Sequence, residues 1–124
     1  MTRNNVVKLM FVAGLLGCVP QGQAGDALAC NLKALTQVER ARQQQLGHAW
    51  RVAVVDRRES DDGYSFRIDP SKTSMVELAE WVGYEQKCCP FFRFRIETDE
   101  TRSIWMTLSG RPGVKGFIAG EFSL

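Results

Sequence analysis

Hydrophobic positions along the chain follow two periods in turn, and the changes from one to the other mark out the elements. From Leu35 to Trp50 a polar stretch carries Leu35, Val38, Leu46 and Trp50 at helical spacing, which predicts an amphipathic helix. Thr36, with Glu39 three residues on, has the form of a capping box at its start. Val52 to Arg58 is rich in β-branched residues and reads as a strand, closed by Ser60-Asp61-Asp62-Gly63. That cluster predicts a hairpin in which the Asp-Gly pair supplies the positive φ of a tight turn. Tyr64, Phe66 and Ile68 then alternate with Ser65 and Arg67, the mark of a half-buried strand.

Asp69-Pro70-Ser71 breaks that strand, and a second helix is predicted from Ser74 to Cys88. Met75, Leu78, Val82, Glu85 and Cys89 share one of its faces by their spacing, and Pro90 stops it. Phe92, Phe94 and Ile96 next point one way, with Arg93, Arg95 and Glu97 the other. Thr98 to Ser103 forms a turn before Ile104, Met106 and Leu108, the buried set of a fourth strand. Gly110-Arg111-Pro112-Gly113 leads into a closing helix, Val114 to Glu121, anchored by Phe117 and Ile118. The order α-β-β-α-β-β-α predicts an α+β two-layer sandwich, with a four-stranded antiparallel sheet of two hairpins and helices on one face. With 124 residues the chain is long enough for one such domain, expected over residues 28–124.

The first residues follow neither period. Arg3 and Lys8 precede the uncharged run Leu9 to Gly17, too short to span a bilayer and laid out like a secretory signal over residues 1–24. Gly22 and Ala24 suit cleavage before Gly25. Leu15-Leu16-Gly17-Cys18 also resembles a lipobox, in which Cys18 would be lipidated. The expected location is therefore periplasmic or secreted, with a membrane anchor if Cys18 is modified, and cytoplasmic if the start codon is misassigned. Removing a leader that holds Arg3 and Lys8 but no acid takes 16 basic residues to 14, equal to the 14 acidic ones. A neutral chain lacks the basic excess of a nucleic-acid binder, and membrane contact is expected only through the leader or a lipid.

One constellation stands out chemically. In Glu85-Gln86-Lys87-Cys88-Cys89-Pro90, Glu85 lies three and four residues before the two cysteines, so a helix turns all three toward one point. Thiolates bind soft ions such as Zn(II), Cu(I) and Hg(II), and a carboxylate can complete the shell. Adjacent cysteines rarely bond to each other, which leaves both open to a third party, and Cys30 is the candidate. The set reads as a soft-metal or thiol-ligand site of Cys88, Cys89, Cys30 and Glu85. The alternative is a structural or interaction module with a Cys30–Cys88 or Cys30–Cys89 disulfide, as an oxidising compartment favours. Thiol catalysis is the third reading; a carboxylate and a helix C-terminus both disfavour the thiolate it would need. Three cysteines after processing cannot all pair, so one thiol is left over.

Glu85 lies on an apolar stripe and needs a partner there, for which an arginine is expected. The single histidine, His48, could meet a thiol only if the first helix packs over the end of the second. Arg67, Arg93, Arg95 and Trp105 share the outer sheet face, a surface that could hold an anionic or aromatic ligand or a protein partner. Gly110 to Gly113 lacks the spacing of a phosphate loop and reads as a turn.

Cys30 with Leu35, Gly63-Tyr64-x-Phe66, Glu85-x-x-Cys88-Cys89-Pro90-Phe91 and Leu108-x-Gly110-x-x-Gly113-Val114-Lys115-x-Phe117 together resemble a family of small uncharacterised bacterial proteins. Related segments in that family occur fused to metal-responsive transcription regulators. The resemblance spans about residues 28–122, and E-x-x-C-C-P-F is its most specific part. Family members begin near the position of Cys30 and lack a leader. The resemblance implies no activity, but it directs attention to the cysteines.

Overall fold

Thr36 starts the first helix as its sequence predicts. Its hydroxyl accepts from the Glu39 backbone N–H at 3.1 Å, and the Glu39 carboxylate accepts from the Thr36 N–H at 3.0 Å. The computed structural model describes residues 28–124, so the leader expected over 1–24, with Cys18, lies outside the described residues. A short 3-10 turn, Leu32–Ala34, precedes α1, Gln37–Val52. β1 (Val54–Glu59), β2 (Gly63–Ile68), α2 (Met75–Cys88), β3 (Arg93–Thr98), β4 (Ile104–Ser109) and α3 (Val114–Glu121) follow. Val52, read as the first strand residue, is instead the last of α1, and Ala53 keeps a helical backbone before the chain extends.

The strands form one antiparallel sheet in the order β1-β2-β4-β3. Tyr64, Phe66 and Ile68 pair with Leu108, Met106 and Ile104, so the two central strands present one continuous apolar face. Leu46 and Trp50 of α1, Leu78 and Trp81 of α2, and Val114 and Ile118 of α3 close over it as a single core. All three helices therefore cover one face, and the architecture is the expected α+β sandwich. Among the described residues no helix is long and apolar enough to cross a membrane.

Several side chains differ from expectation. Val38 is 80% exposed, because the first turn of α1 extends past the core. On α2 the buried stripe is Leu78, Trp81, Glu85 and Cys88; Met75 is 40% exposed and Val82 is only partly covered. Trp81 takes the core position because its indole fills the space against Trp50 and Phe94. Phe92, Phe94 and Ile96 do alternate with exposed Arg93, Arg95 and Glu97 as expected, and they are half-buried, since β3 is an edge strand. Gly63 does not supply the positive φ of a turn; it is the first residue of β2. A Cβ there would lie 2.0 Å from the Leu108 carbonyl oxygen, so the requirement for glycine is close approach of β4.

The helices that carry the candidate site are held together on both sides. Arg42 of α1 meets Glu80 of α2 through two hydrogen bonds of 2.9 and 2.8 Å, and Lys87 reaches Glu39 at 2.7 Å. Gly47 is buried between the helices, where a Cβ would lie 3.1 Å from the Trp81 indole nitrogen. Small size at that position brings α1 over the C-terminal half of α2.

Candidate functional site

The last turn of α2 builds the site. Glu85 and Cys88 face α1, whereas Cys89 caps the helix with a non-helical backbone (φ −129°, ψ 67°), as the proline after it requires. The segment before α1 lies against this helix end: the Asn31 N–H donates to the Cys88 carbonyl at 2.7 Å. Asn31 also caps the 3-10 turn through the Lys33 N–H, and Leu35 packs on Cys88 and Cys89. That docking places Cys30 in a disulfide with Cys89. Cys88 stays a free thiol with no exposed surface, its sulfur 3.5 Å from that of Cys89. The three Sγ atoms lie within 4.8 Å of one another, a group that could hold a metal.

Gln43 is the residue that reading the sequence missed. Its Nε2 donates to Glu85 Oε1 at 2.7 Å and to Cys88 Sγ at 3.3 Å. A signal was present: Gln43 precedes Leu46 and Trp50 by three and seven residues, so a polar side chain stands in the apolar stripe of α1. It answers the question of Glu85's partner, which is this neutral amide and not the expected arginine. Glu85 is consequently one residue removed from the sulfur group, and the trio of possible ligand atoms does not include it. His48 lines one cleft with the three cysteines, because α1 does pack over the end of α2, yet it contributes no ligand atom to the trio.

Burial pushes the Glu85 carboxyl above its ordinary 4.5, outweighing the Gln43 hydrogen bond and the positive charge of Arg51. Burial also pushes the Cys88 thiol up, and the Glu85 charge adds to that against the Gln43 hydrogen bond. Cys88 is therefore a protonated thiol at neutral pH, the opposite of an activated nucleophile.

The Glu85 shift has a consequence for stability. The folded protein holds this proton more tightly than the unfolded chain does. The stability linked to it is fully present below pH 4.5 and is lost as pH rises through the raised value. Glu85→Gln keeps an acceptor for Gln43 but cannot ionise. The variant is expected to match the wild type at pH 4 and to exceed it by up to about 1 kcal/mol at pH 8. Urea unfolding at the two pH values checks this; a variant equally destabilised at both would contradict it.

The outer sheet face carries the predicted set, with Arg67 opposite Trp105, and two of its arginines have acidic partners. Arg93 lies 3.3 Å from Asp62 and Arg95 3.8 Å from Glu97, so the charges of these two are matched. Arg58, from β1, stacks 4.2 Å over the Trp105 ring. The Gly110 to Gly113 segment is a turn, as expected, with Gly113 at φ 98° entering α3.

A cleft of about 680 Å³ lies above the cysteines, between α1, the end of α2, α3 and the segment around Leu28 to Leu32. Its wall combines the sulfur group with Glu85, Gln43 and several aromatic rings. The chain matches no protein-family model, and no curated protein or solved structure matches it.

Proposed function

We propose that the protein binds a soft, thiophilic ion through Cys30, Cys88 and Cys89 when the Cys30–Cys89 bond is reduced. The observation that carries this reading is the gathering of three sulfurs within 4.8 Å from two separate chain segments. Structural zinc asks for four ligands, and neither Glu85 nor His48 joins the sulfur trio. The donor set therefore suits Cu(I) and Hg(II), soft ions content with sulfur alone, better than Zn(II). Binding would displace the Cys88 proton, so affinity rises with pH. The role that fits is sequestration or sensing, since no activated nucleophile accompanies the thiols.

The expected result is one Cu(I) or Hg(II) per reduced chain after gel filtration, read by native mass spectrometry, with Zn(II) washing off. Cys88→Ser should weaken retention by at least about tenfold, the loss of one charged ligand. Reduced wild-type protein that retains neither ion would overturn the reading.

The disulfide itself favours a second reading, a structural module whose bond pins the N-terminal segment to the end of α2. Export to an oxidising compartment belongs with it, as the leader-like first residues lead one to expect. Thiol titration of unreduced, denatured protein from the periplasmic fraction separates the two. One free thiol among Cys30, Cys88 and Cys89 supports the bonded module, and three support the reduced metal site.

A further inference from the structure

A bare ion needs only its ligands, yet these sulfurs lie buried in the wall of a cleft the size of a small-molecule site. Its volume of about 680 Å³ lies in the middle of the range for organic ligands. Apolar side chains make up much of the wall around the sulfurs: Leu28, Leu32, Phe92, Phe117 and Phe122 contribute to it. Two of these rings are held edge-on to their neighbours. Phe92 and Phe117 lie 5.7 Å apart, and Phe117 also meets Phe91 at 5.2 Å, so their positions are set by packing. The second sulfur-facing feature is the 3.5 Å between Cys88 Sγ and Cys89 Sγ. One heavy atom bonded to both at about 2.3 Å each fits a sulfur separation of this order.

From this juxtaposition of paired sulfurs and an aromatic wall we infer that the ligand is a thiophilic ion carrying one organic group. Cys88 and Cys89 of the reduced protein take the ion, and the aromatic wall takes the group. The inference rests on the thiol reading above and names its ligand class. Monoorgano arsenic(III) shows the chemistry in balance. R–As=O with two thiols gives R–As(S)₂ and one water; two As–S bonds form, two S–H bonds break, and the oxo oxygen leaves with both protons. Arsenic stays trivalent, so no oxidant or reductant takes part. The carbon substituent fills the third position that Cys30 would occupy around a bare ion.

The test compares two probes that share the two-thiol reaction and differ only in the group: phenylarsenic(III) oxide and methylarsenic(III) oxide. The full chain is reduced with a phosphine, freed of it under anaerobic conditions and titrated by calorimetry. Phenyl should bind at least about tenfold more tightly than methyl, as expected for burying an aromatic ring. Phe117→Ala should shrink that ratio and leave methyl binding unchanged. Leu32→Ala, at a residue 49% exposed and outside the core, should do the same to a smaller extent and guards against loss of folding in the first variant. Equal affinities for the two probes would overturn the inference while leaving the thiol site intact. If neither arsenical binds the reduced protein, the thiol reading falls and the inference with it.

Discussion

Reducing the Cys30–Cys89 disulfide is expected to lower the free energy of unfolding by roughly 4 kcal/mol, the loop-entropy value for a bond spanning 59 residues. The closed loop holds α1, the β1–β2 hairpin and all of α2, so the bond restricts a large part of the unfolded chain. Urea unfolding with and without reductant measures the difference. Cys30→Ser should reproduce the reduced protein without further change, because Cys30 is only partly buried and its removal leaves no large cavity. A loss below about 1 kcal/mol would show that the N-terminal segment stays docked through Leu35 and the Asn31–Cys88 hydrogen bond alone. The same experiment bears on function. An ion held by all three sulfurs would close the same loop, and at a hundredfold excess over its Kd it would restore about 2.7 kcal/mol. The reduced protein should therefore regain most of its stability when Cu(I) or Hg(II) is added, and Cys88→Ser should blunt the recovery.

Trp50→Ala is expected to cost about 3–5 kcal/mol, the range for emptying the site of a large buried aromatic side chain. Trp50 is 1% exposed and joins three parts of the fold, with ring centroids 5.5 Å from Phe66, 5.2 Å from Trp81 and 5.4 Å from Phe122. No single neighbour can move into the space without leaving another. Thermal unfolding should show a Tm lower by at least about 12 °C for a domain of this size. Its indole N–H has no hydrogen-bond partner among the described residues, so Trp50→Phe gives up volume and no hydrogen bond. That variant should lose less than half as much. Equal losses from the two would mean that the indole hydrogen bonds through water and that the polar atom matters.

Features coded within a few residues were legible in advance. Thr36 and Glu39 cap α1 by an interaction across three positions, and the alternation of Tyr64, Phe66 and Ile68 already states which face is covered. Cys88, Cys89 and Cys30 were legible as a group because only a helix end and an incoming segment could bring them together. What remained closed depended on distant packing. One residue along a helix is a rotation of about 100°, so Val82 and Trp81 compete for the same neighbourhood, and the choice was made by Trp50 and Phe94. Half-burial of Phe94 and Ile96 followed from sheet order, which no local period encodes. The choice of Cys89 over Cys88 as the partner of Cys30 turned on Gln43, which draws Cys88 toward α1 and leaves the helix cap facing the N-terminal segment.

Sheet order also decides how this protein behaves toward its own copies. β1 and β3 leave backbone groups open along both edges, each a template on which another strand could add. β1 answers with four consecutive charged residues, Asp56 to Glu59, and with a register shift between Val54 and Asp56 that interrupts the pairing ladder. β3 sets Arg93, Arg95 and Glu97 along its outer side. Any strand approaching either edge must bury or displace these charges before its backbone can bond. The apolar residues that build the core are thus kept from building a fibre.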